Sequence, residues 1–310
     1  MSINRNNADI WKSDVERSVD FYNQWFLEFA PATYRQERRL TAKRVRKAFK
    51  VLSDGMCLTA SALDGAPEML MILRQMTCPP LARERLAGLA GVSKGVVKHF
   101  EDGKKESKRC KWEPILAVIR KLLDVDLLPW LTEGCKPKPL AHQRAVLVVA
   151  DRLCGALSDP IIRNAQEKRQ LASITAFLEN KGYRLVSPNA YNEMNPGDFA
   201  FHLNIPVQHG GRNTRTVNVT VDVAILPKSA RRGDLPILIE AKSAGDFTNV
   251  NKRRKEEAQK MSQLKQTYGD VTYILFLCGY FDSGYLGYEA AEGIDWVWEH
   301  RISDMEALGL

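Results

Sequence analysis

Between Thr216 and Leu226 apolar and polar residues alternate almost without interruption. Val217, Val219, Val221, Val223 and Ile225 fall on one side of a period-two pattern, and Asn218, Thr220 and Asp222 on the other. The run predicts a strand with one face in a core and a carboxylate, Asp222, on the opposite face. A second short strand is predicted at Pro236–Ala241, and its end reads Ile239-Glu240-Ala241-Lys242. Period two puts Glu240 and Lys242 on one face, with Ile237, Ile239 and Ala241 on the other. An acid and an amine at the end of an apolar strand are costly to desolvate unless they have partners or a purpose.

The surrounding texture sets the fold class. Phe199–Val207 predicts a strand that joins Thr216–Leu226 through the glycine-rich turn His209–Asn213. Ile161–Tyr183 predicts an amphipathic helix ending near Gly182, and Lys252–Tyr268 a charged helix. Val271–Cys278, apolar nearly throughout, predicts a buried strand, and Trp296–Leu308 a closing helix. Helices and strands in this order make an α/β (α+β) domain with a mixed central sheet flanked by helices. Residues before about 140 carry helical spacing instead, as in Phe21, Trp25, Phe26 and Phe29, or Ile115, Val118, Ile119, Leu122 and Leu123. Lys136-Pro137-Lys138-Pro139 breaks that pattern. Two domains are expected, 1–140 mostly helical and 141–310 with the sheet.

Composition excludes several classes. Hydrophobic residues make up 45% and charged residues 26%, as in a globular protein and not a disordered one. The longest apolar stretches, Ala145–Ala150 and Tyr273–Cys278, are too short to span a bilayer. Met1–Ser18 has no apolar signal-peptide segment, so a cytoplasmic location is the expectation. The six cysteines show neither C-x-x-C pairing nor zinc spacing. A formal net charge of +8 favours a polyanionic partner.

Asp222, Glu240 and Lys242 suit phosphodiester hydrolysis. Two carboxylates hold a hard divalent cation, which polarises a phosphate and activates water. A nearby lysine orients the water or stabilises developing charge. An acid-x-Lys triplet alone is uninformative: Asp102-x-Lys104, Glu106-x-Lys108 and Glu179-x-Lys181 also occur, without an upstream strand aspartate. The bland reading is an Asp capping a strand end and a Glu–Lys pair on a solvated edge. Glu167, the one charge on a stripe with Leu171, Ile174 and Leu178, is a fourth candidate acid. Alternatively it sits at the stripe's margin, paired with Arg163 or Arg169. Lys228, Arg231 and Arg232 after Asp222, and Arg253 and Arg254 within Lys252–Lys255, are candidate phosphate contacts. The other reading is a solvated face.

Arg83–Ala90, Gly91-Val92 and Ser93–Phe100 read as helix, turn, helix. Gly91 suits the turn, and Ser93 suits a helix N-cap. The arrangement over 83–101 resembles the repressor type of helix-turn-helix, which would make Ser93, Lys94 and Lys98 DNA contacts. An ordinary helical hairpin is the other reading.

Asp222 with Glu240-Ala241-Lys242 resembles the PD-(D/E)xK nuclease superfamily, with Val221 where proline is frequent. More narrowly, Trp11–Pro31, Thr77–Lys94, Ala150–Gln170 and Gly293–Arg301 resemble the XamI family of type II restriction endonucleases. The resemblance implies a prokaryotic enzyme that uses Mg2+ and cuts double-stranded DNA at a short palindrome, with a homodimer to match. It implies Asp222 and Glu240 as metal ligands and Lys242 as catalytic base or water-positioning group. GTCGAC is carried by family association alone. The expected products carry 5′-phosphate and 3′-hydroxyl ends. A repair or recombination nuclease of the same superfamily, and a non-catalytic helix-turn-helix regulator, are the competing functions.

Overall fold

The computed structural model describes residues 2–104, 112–209, 215–248 and 250–310, without the side chains of His209 and of 250–254. Beyond His209, the turn expected at 209–213 lies outside the described residues. The chain divides into two compact units, Met1–Phe29 with Arg163–Leu310, and Ala30–Ile162. The division falls inside two long helices, α1 (Ala8–Val51) and α8 (Pro139–Asn180).

The unit of residues 30–162 is helical. Between α1 and α8 it holds α2 (Ala60–Asp64), α3 (Leu70–Gln75), α4 (Arg83–Leu89), α5 (Lys94–Glu101), α6 (Trp112–Leu122) and α7 (Trp130–Glu133). Phe49, Leu52, Leu63, Leu70, Trp112 and Trp130 are among its fully buried side chains. The Phe100 ring stacks on Trp112 with centroids 4.0 Å apart, a geometry that adds about 1 kcal/mol to the burial itself.

Among the described residues of the other unit one six-stranded sheet runs β1 (Arg184–Leu185), β2 (Asp198–His209), β3 (Arg215–Ile225), β4 (Ile237–Ala244), β5 (Tyr273–Gly279) and β6 (Asp295–Trp298), in that spatial order. The β2–β3 and β3–β4 pairs are antiparallel, and the remaining pairs are parallel. Parallel neighbours need crossovers, and α9 (Val250–Tyr268) and α10 (Ser283–Ala291) provide them after β4 and β5. The sheet is mixed and flanked by helices, as the sequence predicts. Gly279 closes β5 at φ +96°; a Cβ there would meet the Ala244 carbonyl oxygen at 2.1 Å, so glycine is required.

The sheet separates two cores. On one face Val219, Val221, Leu238, Leu275 and Trp296 pack with Met261 and Leu264 of α9 and Leu286 of α10. On the other Val223, Ile225, Ile239, Phe276 and Val297 pack with Ile174 and Leu178 of α8 and with Met305. The valines of β3 therefore do not share one face, as their alternation predicts. Val219 and Val221 lie in one core, Val223 and Ile225 in the other, and the change falls at Asp222. β2 switches at the matching row: Leu203 and Ile205 belong to the first core, Phe199 and Phe201 to the second.

Three other expectations are revised. The predicted closing helix is strand β6 followed by a 3-10 helix, Glu299–Leu308. Trp296 and Trp298 enter one core and Val297 the other, which is strand periodicity. The helix expected from Ile161 starts at Pro139 and carries Pro160 within it. In the aromatic stretch 20–29 the deeply buried ring is Tyr22, whereas Phe21 and Phe26 are exposed.

The amino-terminal residues are tied to β6. The buried Asp295 carboxylate accepts the backbone N–H groups of Ile3, Asn4 and Arg5 at 2.6, 2.9 and 3.0 Å. The Asn4 side chain donates to the Trp296 carbonyl at 2.9 Å.

Candidate active site

The β3–β4 ladder is short: Val223–Ile239, Ala224–Leu238 and Ile225–Ile237. Its next row would oppose Asp222 and Glu240, and there the pairing stops. Asp222 Oδ2 instead accepts the Ala241 N–H at 2.8 Å, so a side chain replaces the missing strand partner. β4 continues along β5 as far as Ala244. Two carboxylates thus stand at the point where two strands part. Burial raises the Asp222 pKa above its ordinary value, and the charge of Glu240 raises it further.

Helix α9 completes this corner. Lys242 Nζ lies 2.9 Å from Glu240 Oε1 and 3.0 Å from Glu257 Oε1. Lys260 Nζ lies 2.5 Å from the same Glu240 oxygen. The Tyr273 hydroxyl donates to Glu257 Oε2 at 2.6 Å. Burial alone would lower the Lys242 pKa; Glu257 and then Glu240 outweigh it and push it up to about 12. Lys242 is therefore an ammonium at neutral pH. Glu240 Oε2 is buried and has no hydrogen-bond partner among the described residues.

Helix α8 forms the facing wall. Gln170 donates to the Phe276 and Lys242 carbonyls at 3.1 and 3.3 Å. A cleft of about 330 Å³ is lined by Arg163, Gln166, Glu167 and Gln170 from α8, and by Asp222, Glu240 and Lys242 from the strands. The Glu167 stripe runs as expected, with Ile174 and Leu178 buried. Glu167 itself is half-exposed, and its carboxylate lies 3.8 Å from His202 Nε2. Arg169, one of the two partners considered for Glu167, pairs with Glu299 at 2.9 Å.

Asp222, Glu240, Lys242 and Glu167 are thus brought to one cleft. Lys228, Arg231 and Arg232 are not among its lining residues. They occupy the β3–β4 connection, beyond the end of the ladder remote from Asp222, and Lys228 Nζ donates to the Lys181 carbonyl at 2.6 Å. Arg253 and Arg254 fall in α9, with side chains outside the described residues. In the helical unit Ser93, Lys94 and Lys98 are all exposed. Gly91 turns the chain at φ +63° between α4 and α5. Ser93 holds the N-cap position with extended dihedrals but makes no side-chain cap hydrogen bond. Buried Glu101 ties this motif together by accepting from Arg74 and Arg83 at 2.5 and 2.8 Å.

Sequence reasoning missed Glu257, Lys260 and His202. For Glu257 a signal existed. Glu257, Met261 and Leu264 follow helical spacing, and the two apolar members are buried against the sheet.

The residues fit a divalent cation. Glu240 keeps a buried oxygen without a donor, and Asp222 keeps Oδ1 beyond its bond to Ala241. An all-oxygen pair of acids suits a hard ion.

A family model described as XamI restriction endonuclease matches residues 57–298. The chain is 48% identical to the type II restriction enzyme SalI of Streptomyces albus G over 318 residues, covering 99% of both chains. No solved structure matches the chain. A match spanning most of the length, together with an end-to-end relative, places this protein in the XamI restriction endonuclease family.

Proposed function

We propose that this restriction endonuclease hydrolyses DNA at the cleft where β3 and β4 part, with Asp222 and Glu240 holding Mg2+. The observation that carries this reading is the convergence of Asp222, Glu240 and Lys242 on one cleft, with Glu240 Oε2 buried and unpartnered. A bound divalent cation supplies charge neutralisation at the phosphate and activation of water. Lys242, held as an ammonium between two acids, presents positive charge to the scissile phosphate. Glu167 adds a third carboxylate from α8. Family membership removes the competing readings of a repair nuclease and of a non-catalytic regulator.

The finer reading is double-strand cleavage at a short palindromic site by a homodimer, leaving 5′-phosphate ends, in the bacterial cytoplasm. A twofold target pairs naturally with a twofold protein. No helix among the described residues is long and apolar enough to cross a membrane. The α4–α5 motif contacts DNA through Ser93, Lys94 and Lys98. Lys228, Arg231, Arg232, Arg253 and Arg254 are further candidate phosphate contacts.

The test is digestion of DNA of known sequence with and without Mg2+, followed by mapping of the ends. Discrete fragments that need Mg2+ and vanish in Asp222→Ala and Glu240→Ala are expected. Undiminished cutting by either variant would overturn the assignment.

A further inference from the structure

We propose that His202 is a cation ligand of the cleavage site, giving it a nitrogen donor beside the carboxylates of Glu167 and Asp222. The inference rests on reading Asp222 as a metal-holding residue.

β2 and β3 pair at Phe201–Val223 and at Leu203–Val221, and between those rows stand His202 and Asp222. His202 has φ +50°; among the described non-glycine residues only Ser53 and Asp54 share a positive φ. The left-handed conformation takes His202 out of the ladder. It sets Nε2 3.8 Å from Glu167 Oε1. One donor atom each from Glu167, His202 and Asp222 lies within 4.8 Å of the others.

These separations suit a shared ion better than direct contact. At 3.8 Å the His202–Glu167 approach is too long for a hydrogen bond. Both side chains are about half exposed, at 54% and 48%, so an ion pair there contributes little. A cation with ligands at about 2.1 Å holds its donors roughly 3–4 Å apart. Independently of this cluster, Glu240 offers a buried, unpartnered oxygen on the cleft that Glu167 and Asp222 also line. An imidazole among carboxylates moves preference from Mg2+ toward Mn2+ and Co2+.

The experiment uses Mn2+ alone, with the full-length protein and no DNA, read by pulsed electron paramagnetic resonance for 14N coupling. The comparison variant is His202→Asn, because asparagine tolerates a positive φ and replaces nitrogen with a carbonyl oxygen. The parent is expected to show coupling to one imidazole. His202→Asn is expected to bind Mn2+ about tenfold more weakly, with the coupling gone and Mg2+ affinity nearly unchanged. Two outcomes overturn the proposal while leaving the site intact: Mn2+ held in an Asp222-dependent way without nitrogen coupling, or coupling that persists in His202→Asn. If the parent binds no Mn2+ that Asp222→Ala abolishes, the reading of Asp222 fails, and the role of His202 fails with it.

Discussion

Lys242 Nζ lies 3.0 Å from Glu257 Oε1, a carboxylate with no exposed surface. Glu257 is in turn held by the Tyr273 hydroxyl, so the lysine is fixed from behind by a rigid acceptor. With its pKa pushed up to about 12, Lys242 is an ammonium at neutral pH that sits between Glu240 and Glu257. Glu257→Gln keeps the shape and removes one of the two acids that hold this ammonium. Cleavage at saturating DNA should fall by about 10–100-fold, with affinity for the site retained. Single-turnover cleavage and gel shift on the same preparation decide it, and an unchanged rate would remove Glu257 from the machinery.

Asp222 leads to a pH-dependent prediction for stability. Its folded pKa lies above the ordinary carboxylate value, first through burial and then through Glu240. The folded state therefore holds that proton more tightly than the unfolded chain does. The benefit is fully present below the unfolded pKa and is lost as pH rises through the folded one. Without added metal, Asp222→Asn should melt higher than the parent at neutral pH, by roughly 2–4 °C for each kcal/mol relieved. The advantage should shrink on acidification toward the ordinary carboxylate range. Cleavage should drop by two to three orders of magnitude. Thermal scans across pH on the metal-free protein test the sign.

Lys260 occupies Glu240 at 2.5 Å and so competes with any cation for that oxygen. Lys260→Ala should tighten Mn2+ binding in the absence of DNA by about tenfold, equivalent to about 1.4 kcal/mol. Calorimetric titration of parent and variant gives the comparison; weaker binding would mean that the ammonium helps shape the site instead.

Lys94 and Lys98 are exposed on α5. If each neutralises one DNA phosphate, Lys94→Ala and Lys98→Ala should each lower the slope of log affinity against log salt by about one. Hydrolysis at saturating DNA should persist. Fluorescence anisotropy over a salt series reads this out, and parental slopes in both variants would detach α5 from the DNA.

The legible part of the site was the part governed by strand periodicity. Glu240 and Lys242 share a face because period two requires it, whereas the alternation that placed Asp222 on β3 breaks at Asp222 itself. His202 was not legible. A turn confined to 209–213 pairs Gln208 with position 214 and sets Asp222 against Ala200. The actual register pairs Gln208 with Thr216 and brings Asp222 level with His202. Nothing in Phe201-His202-Leu203 announces a left-handed residue or the change of face it accompanies. Strand β6 was missed because Trp298, Ile302 and Met305, at i, i+4 and i+7, also suit a helical stripe when burial is unknown. The partnership of Glu257 with Lys242 depends on how α9 lies on the sheet, which no local pattern encodes.

The stitching of Ile3, Asn4 and Arg5 onto Asp295 bears on how the protein should be handled. The first seven residues look dispensable, being short, polar and ahead of the first helix. Trimming them would leave a carboxylate with little access to water, stripped of four donors at once, the Ser2 hydroxyl and the N–H groups of Ile3, Asn4 and Arg5. A shortened version of this enzyme should be harder to purify intact than the full chain, and an affinity handle belongs at some other position.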